Sequence, residues 1–534
     1  MEIRARQKIK HKINESKAVA KGRQGIFGVI FGRTAIVILL MLVQVALLFL
    51  GYGMLEGYAY YLNTAMQAVA VILVIYIINR RINPAFMLVW IMIILVTPVF
   101  GTLLYLFAEL QPATKWINKK LQKMHTITEK YWTQNEVVLQ NLQKESTAAA
   151  NLAKYICSRA GFPAYQNTSV KYLCCGEDKM EELIKQLELA QDFIFMEYFI
   201  VERGYMWDTI LEVLKRKAQE GVEVRFMYDG MCSIAHVPPN YPKEIEKLGI
   251  KCHIFSPIRP ALSTLQNNRD HRKIVVIDGH TAFTGGINLA DEYINQKVRF
   301  GHWKDNAIMV KGEAVRSFTL MFLEMWNVKK DEKREHFDRY LEVKQRRLFG
   351  GGEGFVIPYG DSPLDDEQVG EQVYMDILYT AKKYVHIMTP YLILDYNMMT
   401  ALTYAAKRGV EVIIIMPHIP DKWYAFVLAK SYYNELMDAG VKIYEYTPGF
   451  VHAKMFTSDD EKAVVGTINM DFRSLYLHFE CAVLLYKNVE ITSMEQDFQA
   501  TLKACRQMHQ EDYGKQPLVN RAAGKILRLL APLM

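Results

Sequence analysis

Cysteine is scarce in this chain: seven in 534 residues, odd in number and scattered, with Cys174-Cys175 the one adjacent pair. There is no framework spacing and no paired C-x-x-C. That excludes a disulfide scaffold and a zinc site, and it predicts reduced thiols and a cytoplasmic compartment for the body. Net charge is also missing from most of the chain. Residues 1–33 hold nine Lys or Arg (Arg4, Arg6, Lys8, Lys10, Lys12, Lys17, Lys21, Arg23, Arg33) against Glu2 and Glu15, a surplus of seven that equals the net charge of the whole sequence. The rest therefore sums to zero, which excludes a broadly basic nucleic-acid binder. No cleaved signal peptide is recognisable, because the first apolar run starts late, is too long and lacks a small-x-small cleavage site.

Long apolar runs follow the basic arm directly. Thr34 to Leu55, Gly57 to Asn79 and Ile82 to Ala108 carry no charged residue, and as helices each could cross roughly 30 Å of hydrocarbon. They predict a transmembrane region over 34–108 with two or three helices. The second is the weakest, since Tyr60, Tyr61, Asn63, Thr64 and Gln67 crowd its first half. Three full crossings conflict with the charge pattern: the arm, Arg80-Arg81 and the Lys115, Lys119, Lys120, Lys123 cluster all favour the cytoplasmic side. One stretch must then enter and leave on the same face, and Ile82 to Ala108 is the candidate because Pro98 and Gly101 can break its helix. On this reading the protein is a multi-pass cell-membrane protein with its body on the cytoplasmic side.

Length suggests two or three units beyond one ordinary domain. Residues 109–160 are polar and helix-prone, a predicted stalk. Two related halves follow, 161–328 and 354–515. The first has a strand over Ala190 to Phe199, a helix ending near Gln219 and a strand over Gly221 to Met227; the second repeats strands over Ala381 to Met388 and Gly409 to Ile415. The offset is 188 between the two Gly-Val-Glu-Val copies, 191 between Gly249-Ile250-Lys251 and Gly440-Val441-Lys442, and 181 between His271 and His452. The first half thus carries about ten extra residues within Pro257 to Arg269. Alternating strands and helices with short connections predict an α/β sandwich in each half, packed about a pseudo-twofold. A charged connector, 329–353, ends near Gly350-Gly351-Gly352. The final segment, 516–534, sets Arg521, Lys525 and Arg528 among Leu, Ile and Ala, a pattern that suits an amphipathic helix at a membrane interface and equally a packed one.

The repeat carries a motif. His271, Lys273 and Asp278 stand in H-x-K-x4-D, followed by Gly285-Gly286-Ile287-Asn288. His452, Lys454 and Asp459 repeat it, followed by Gly466-Thr467-Ile468-Asn469. One copy is weak; two in matching context are specific. Ile274 to Ile277 predicts a buried strand, and on a strand i and i+2 share a face, so each His should point with its Lys. A neutral imidazole attacks phosphorus or passes a proton, and an ammonium holds the phosphate oxygens. Two such pairs facing each other would make a phosphate site with a nucleophile on one side and an acid on the other. Asp278 and Asp459 close the motifs and are read as fixing local backbone.

The chain here resembles the phospholipase D superfamily, and within it the bacterial cardiolipin synthases. The resemblance rests on both H-x-K-x4-D motifs, Gly-Gly-x-Asn after the first, Thr389-Pro390-Tyr391 before the second, and the hydrophobic N-terminus with Asn83-Pro84 and Pro98-x-x-Gly101. It implies two phospholipase D-type halves whose motifs meet at one site, preceded by transmembrane helices. It also implies a phosphatidyltransferase that moves a phosphatidyl group from one phosphatidylglycerol to another, giving cardiolipin and glycerol through a phosphohistidine. His271 would be the nucleophile and His452 the general acid then base, although the sequence alone leaves the reverse open. Lys273, Lys454, Asn288 and Asn469 would bind phosphate oxygens; Asp305 and Glu480 would orient the histidines, by resemblance only. With two lysines, no cofactor and no divalent cation are required. Expected partners are phosphatidylglycerol, other anionic phospholipids and the membrane, with no nucleic acid. Hydrolytic phospholipase D, transfer to another alcohol such as serine, and an inactive lipid-binding protein are the competing readings.

Overall fold

The computed structural model describes residues 42, 43, 46, 56–109, 112–232, 236–238, 240–256, 268–328, 337–342, 351–365 and 367–533. The basic arm, most of Thr34 to Leu55, the first half's insertion and most of the connector lie outside these. The chain divides into two units, residues 1–116 with 258–266, and residues 117–257 with 267–534.

In the first unit the third apolar stretch is two helices, Pro84–Val96 and Pro98–Glu109. Asn83 caps the first, its side chain accepting from the Ala85 amide at 2.9 Å. Proline at 98 has no amide to donate and forces Thr97 out of the helical region, so the helix ends there. The two pieces fold back on one another. Trp90 meets Tyr105 at 5.4 Å between ring centroids, Arg80 reaches Glu109 at 2.7 Å, and a Cβ on Gly101 would come within 2.5 Å of the Ile93 carbonyl. At 13 and 12 residues the pieces span about 20 Å each. The helix Glu56–Ile78 covers the second stretch, but no helix among the described residues is long and apolar enough to cross a membrane. Among the described residues the expected transmembrane helices are therefore not seen, most of the first stretch lying outside them, and the third stretch is a hairpin.

The second unit holds both halves. The first has β1 (Thr168–Leu173), β2 (Phe193–Tyr198), β3 (Glu223–Asp229), β4 (Lys251–Phe255), β5 (Arg269–Asp270), β6 (Ile274–Ile277), β7 (Thr281–Gly285), β8 (His302–Lys304) and β9 (Ala307–Gly312), of which β6 is wholly apolar and β-branched. The second has β10 (Phe355–Asp361), β11 (Tyr384–Met388), β12 (Glu411–Pro417), β13 (Lys442–Tyr446), β14 (Gly449–Val451), β15 (Met455–Ser458), β16 (Lys462–Gly466), β17 (His478–Tyr486) and β18 (Cys505–Gln507). Sheet order is β1-β9-β7-β6-β2-β3-β4 in one half and β10-β17-β16-β15-β11-β12-β13-β18 in the other. The same order with one added edge strand is the structural form of the sequence repeat.

The halves interlock. Two residues of β5 pair in parallel with the start of β17, and β14 pairs in parallel with β8, each strand borrowed from the opposite half. One apolar cluster runs through the contact, from Phe195, Phe318 and Phe322 to Met455, Val465 and Phe479. Helices occupy Pro112–Thr128, Glu136–Glu145 and Thr147–Ala160, and the later two are no free stalk: Leu142, Ala150, Ala153 and Ile156 are fully buried, because their apolar spacing gives these helices a face that packs on the body.

Asp278 and Asp459 stand at the far ends of β6 and β15, both with positive φ. The Asp278 carboxylate accepts from the backbone amides of Gln191, Asp192 and Phe193, each at 2.8 Å. Asp459 does the same for Lys382, Lys383 and Tyr384 at 2.7, 2.8 and 3.0 Å. Each is a clamp on the entry to the neighbouring strand and lies outside the histidine cluster. Asp459→Ala should lower unfolding free energy by about 2–3 kcal/mol, since it orphans three amides. Urea denaturation checks this, and an unchanged midpoint would refute the clamp.

Candidate active site

The interlock fixes the two histidines first. Because β5 runs beside β17, the His271 amide donates to the Phe479 carbonyl at 2.9 Å; because β14 runs beside β8, the His452 amide donates to the Lys304 carbonyl at 2.7 Å. One residue beyond each of those carbonyls stands a carboxylate. His271 Nδ1 lies 2.9 Å from both oxygens of Glu480, and His452 Nδ1 lies 2.7 Å from Asp305 Oδ2. The orienting carboxylate therefore comes from the opposite half in both cases. The strand exchange, rather than proximity in sequence, sets these pairs.

The motif does not lie on a strand as expected. His271 and Lys273 precede β6, and His452 and Lys454 precede β15. Each ammonium curls back to its own histidine's carbonyl, Lys273 Nζ at 2.5 Å from His271 O, and Lys454 Nζ likewise to His452 O. The trailing small residues have a steric reason. A Cβ on Gly286 would fall 2.1 Å from Asp305 Oδ1 and 3.0 Å from the His452 carbonyl. Only glycine lets the carboxylate through there. Thr467, the matching residue, instead donates its hydroxyl to Glu480 Oε2, and Ser474 donates to Oε1 at 2.7 Å.

The asparagines differ from each other. Asn288 is fully committed: Oδ1 accepts from the Ile200 amide at 3.0 Å and Nδ2 donates to Tyr293 at 2.8 Å. It holds the Tyr293 ring 5.5 Å from His452, so a phosphate-binding part for Asn288 needs its present bonds to break. Asn469 is buried with Oδ1 unpaired.

Several residues at the site escaped the sequence reading. Phe199 packs 4.9 Å from His271 and lies under Lys273. Trp303 packs 5.3 Å from His452 and points its indole N–H at Asp305. Tyr391, from Thr389-Pro390-Tyr391, donates to Asp421 at 2.5 Å and sits beside the half-exposed Lys422. His478 lies 5.7 Å from His271. A signal for the last existed: Trp303-x-Asp305 and His478-x-Glu480 occupy matching places, and i, i+2 on a strand share a face.

Burial sets the charges. The His271 imidazole is held well below its ordinary range by desolvation and by the ammoniums of Lys273 and Lys454. His452 is lowered to about 4 for the same reasons, with Asp305 opposing. Desolvation lowers Lys273 to about 8 and Lys454 to about 7. It raises Glu480 to about 7 against Lys273, Thr467 and Ser474, whereas for Asp305 the nearby His452 and Lys454 outweigh burial and hold the carboxyl low. Both imidazoles are thus neutral, tethered at Nδ1 and free at Nε2 to attack or carry a proton. A nitrogen from each of His271 and His478 and an oxygen of Glu480 lie within 4.8 Å of one another. Two ammoniums act on that place and Glu480 is already engaged by three donors, so the charge favours an anion over a cation.

Comparison with known proteins follows the same lines. Residues 183–326 and 374–502 match the family described as "Cardiolipin synthase, PLD-like domain". The chain is 33% identical to a cardiolipin synthase of Halalkalibacterium halodurans over 503 residues, 93% of this chain and 99% of that one. It is 32% identical to a cardiolipin synthase of Alkalihalophilus pseudofirmus over 92% of this chain and 97% of the relative. An uncharacterized protein of Streptococcus mutans is 49% identical over 86% of this chain and 99% of its own length. Among solved structures, a phosphatidylserine synthase of Haemophilus influenzae superposes with a TM-score of 0.52 at 14% identity, covering 73% of this chain and 98% of that chain, a likeness of fold.

The lowered lysine values give a pH prediction. Each ammonium is lost as pH rises through about 7 and 8, so kcat/KM on a soluble phosphodiester should fall above about pH 7, where Lys454 loses its proton first. Lys454→Arg should lower the maximum but carry the alkaline limb upward, because guanidinium keeps its proton. A limb that stays in place would show that another group sets it.

Proposed function

This chain belongs to the cardiolipin synthase family, phospholipase D-superfamily phosphatidyltransferases, and from that premise we propose that it joins two phosphatidylglycerol molecules into cardiolipin and glycerol through a phosphohistidine. The observation that carries the reading is the pair of neutral, buried imidazoles, each tethered at Nδ1 by the other half's carboxylate and flanked by an ammonium.

Two displacements suffice. His271 Nε2 attacks the phosphorus of the first lipid; the bond to the glycerol headgroup breaks, and His452, which takes up a proton at Nε2 when the phosphodiester anion enters beside it, gives that oxygen the proton. His452 then takes the proton from a hydroxyl of the second phosphatidylglycerol, whose oxygen attacks phosphorus as the P–N bond breaks. Lys273 and Lys454 neutralise the non-bridging oxygens. The asymmetry of the carboxylates supports this order. Asp305 is the stronger anion and makes His452 the better proton carrier, while Glu480 leaves His271 the less basic, unprotonated nucleophile. Aromatic walls from Phe199, Tyr293 and Trp303 favour transfer over hydrolysis by limiting room for water.

Both substrates are membrane lipids, and the proposal includes cell-membrane residence with the body on the cytoplasmic side. The hairpin supports it: Arg80 and Glu109 sit at one end, so the third stretch returns to the face it left. An even number of crossings before Arg80 then keeps the arm, Arg80-Arg81 and the lysine cluster together. The C-terminal helix Leu518–Leu530 packs on Trp423–Asp438 through Gly524. It leaves Leu518, Val519, Ile526, Leu529 and Leu530 exposed, with Arg521, Lys525 and Arg528 along one flank, a surface for anionic lipid.

His271→Ala should reduce cardiolipin formation by about 10³-fold or more, and phosphatidylglycerol labelled at phosphorus should leave an acid-labile label on the wild type and on His452→Ala but none on His271→Ala. Label on His452 instead would reverse the roles; no label on any variant would end the covalent route. Replacing Ile526 and Leu529 by Asp should cut turnover of bilayer phosphatidylglycerol about tenfold and spare a short-chain monomeric analogue. Equal loss on both substrates would remove the helix from the membrane interface.

A further inference from the structure

The two halves place different residues beside their matching histidines. Two positions before Asp305 stands Trp303, packed 5.3 Å from His452 with its only polar atom directed at that carboxylate. Two positions before Glu480 stands His478, its ring centroid 5.7 Å from His271 and 6.5 Å from Phe199. Its side chain keeps only 10% exposure, and its Nδ1 is 4.0 Å from Glu480 Oε1, beyond hydrogen-bond length. Among the described residues neither ring nitrogen has a hydrogen-bond partner. A buried imidazole with two idle nitrogens is costly unless a ligand completes it.

Position tells which ligand atom this is. The nucleophile approaches phosphorus opposite the leaving alcohol, so the alcohol lies on the His452 side. A group beside His271 therefore faces an oxygen in the plane between them, a non-bridging oxygen or the ester oxygen of the diacylglycerol retained through both steps. Burial and the neighbouring cations keep the His478 ring neutral, with one N–H to donate. We propose that His478 is a substrate-binding residue that donates a hydrogen bond to an equatorial oxygen of the phosphoryl group in transfer. Trp303 gives the opposite side a closed, non-donating wall. The proposal rests on the phosphatidyltransfer reading for its substrate, and on the unpaired nitrogens for its geometry.

The test uses the full chain in detergent micelles with two readouts. His478→Phe should weaken binding of tungstate, a phosphate analogue, and slow histidine labelling by dihexanoyl phosphatidylglycerol, each by about 10- to 100-fold, with an unchanged melting temperature. His478→Asn, which can still donate, should recover most of both. If His478→Phe does not fold, His478→Leu takes its place. Tungstate affinity and labelling within twofold of wild type in the apolar variant would overturn the proposal, as would uptake of one equivalent of Zn²⁺ by the wild type that His478→Phe abolishes. His478-dependent tungstate binding in a wild type that transfers no phosphatidyl group would uphold the oxygen contact and overturn the proposed reaction.

Discussion

The structure depends on two hydrogen bonds that cross between its halves, from His271 to Glu480 and from His452 to Asp305. Each joins groups that are costly to bury alone, and each is tolerable because the remaining lone pairs are filled: Thr467 and Ser474 on Glu480, the Asn306 amide and Trp303 on Asp305. Neither half contains a complete tethered histidine. The strand exchange of β5 with β17 and β14 with β8 is what brings the pairs together, and it is held by an apolar core shared between the halves.

Within that symmetry the differences carry the chemistry. The short Asp305 carboxylate needs Gly286 to make room, whereas the longer Glu480 is propped by the Thr467 hydroxyl. Tyr293 stands by His452 where Ser474 supports Glu480, and Trp303 faces His478 across the site. Beneath His271 alone lies a buried ion network, with Arg272 bound to Glu197 at 2.7 Å and Asp270 at 3.4 Å; the matching residue in the other half is Ala453. A duplicated scaffold with unequal surroundings allows two chemically identical imidazoles to hold different roles, since local dielectric and hydrogen bonding set basicity.

Much of this was legible in the sequence. Two copies of a motif at a near-constant offset announced two equivalent halves, and strand propensity located β2, β3, β11 and β12 to within a few residues. The hairpin of the third apolar stretch was foreseeable from Pro98 and Gly101 because proline ends a helix whatever surrounds it. Less legible was that His271 and Lys273 precede β6, since the motif's i, i+2 spacing suits a strand as well as the turn before one. The packed face of residues 136–160 was read as a stalk because alanine and a few spaced aliphatic residues look polar in aggregate.

The sequence by itself determined the reactive groups, their duplication and the charge asymmetry of the N-terminal region, all properties of composition and short-range order. Only the tertiary structure decided which carboxylate meets which imidazole. Those partners lie 209 and 147 positions apart, beyond the reach of any local spacing. It also decided that His478 stands unpaired beside His271. That outcome follows from the parallel pairing of β5 with β17, a long-range contact that no local pattern encodes.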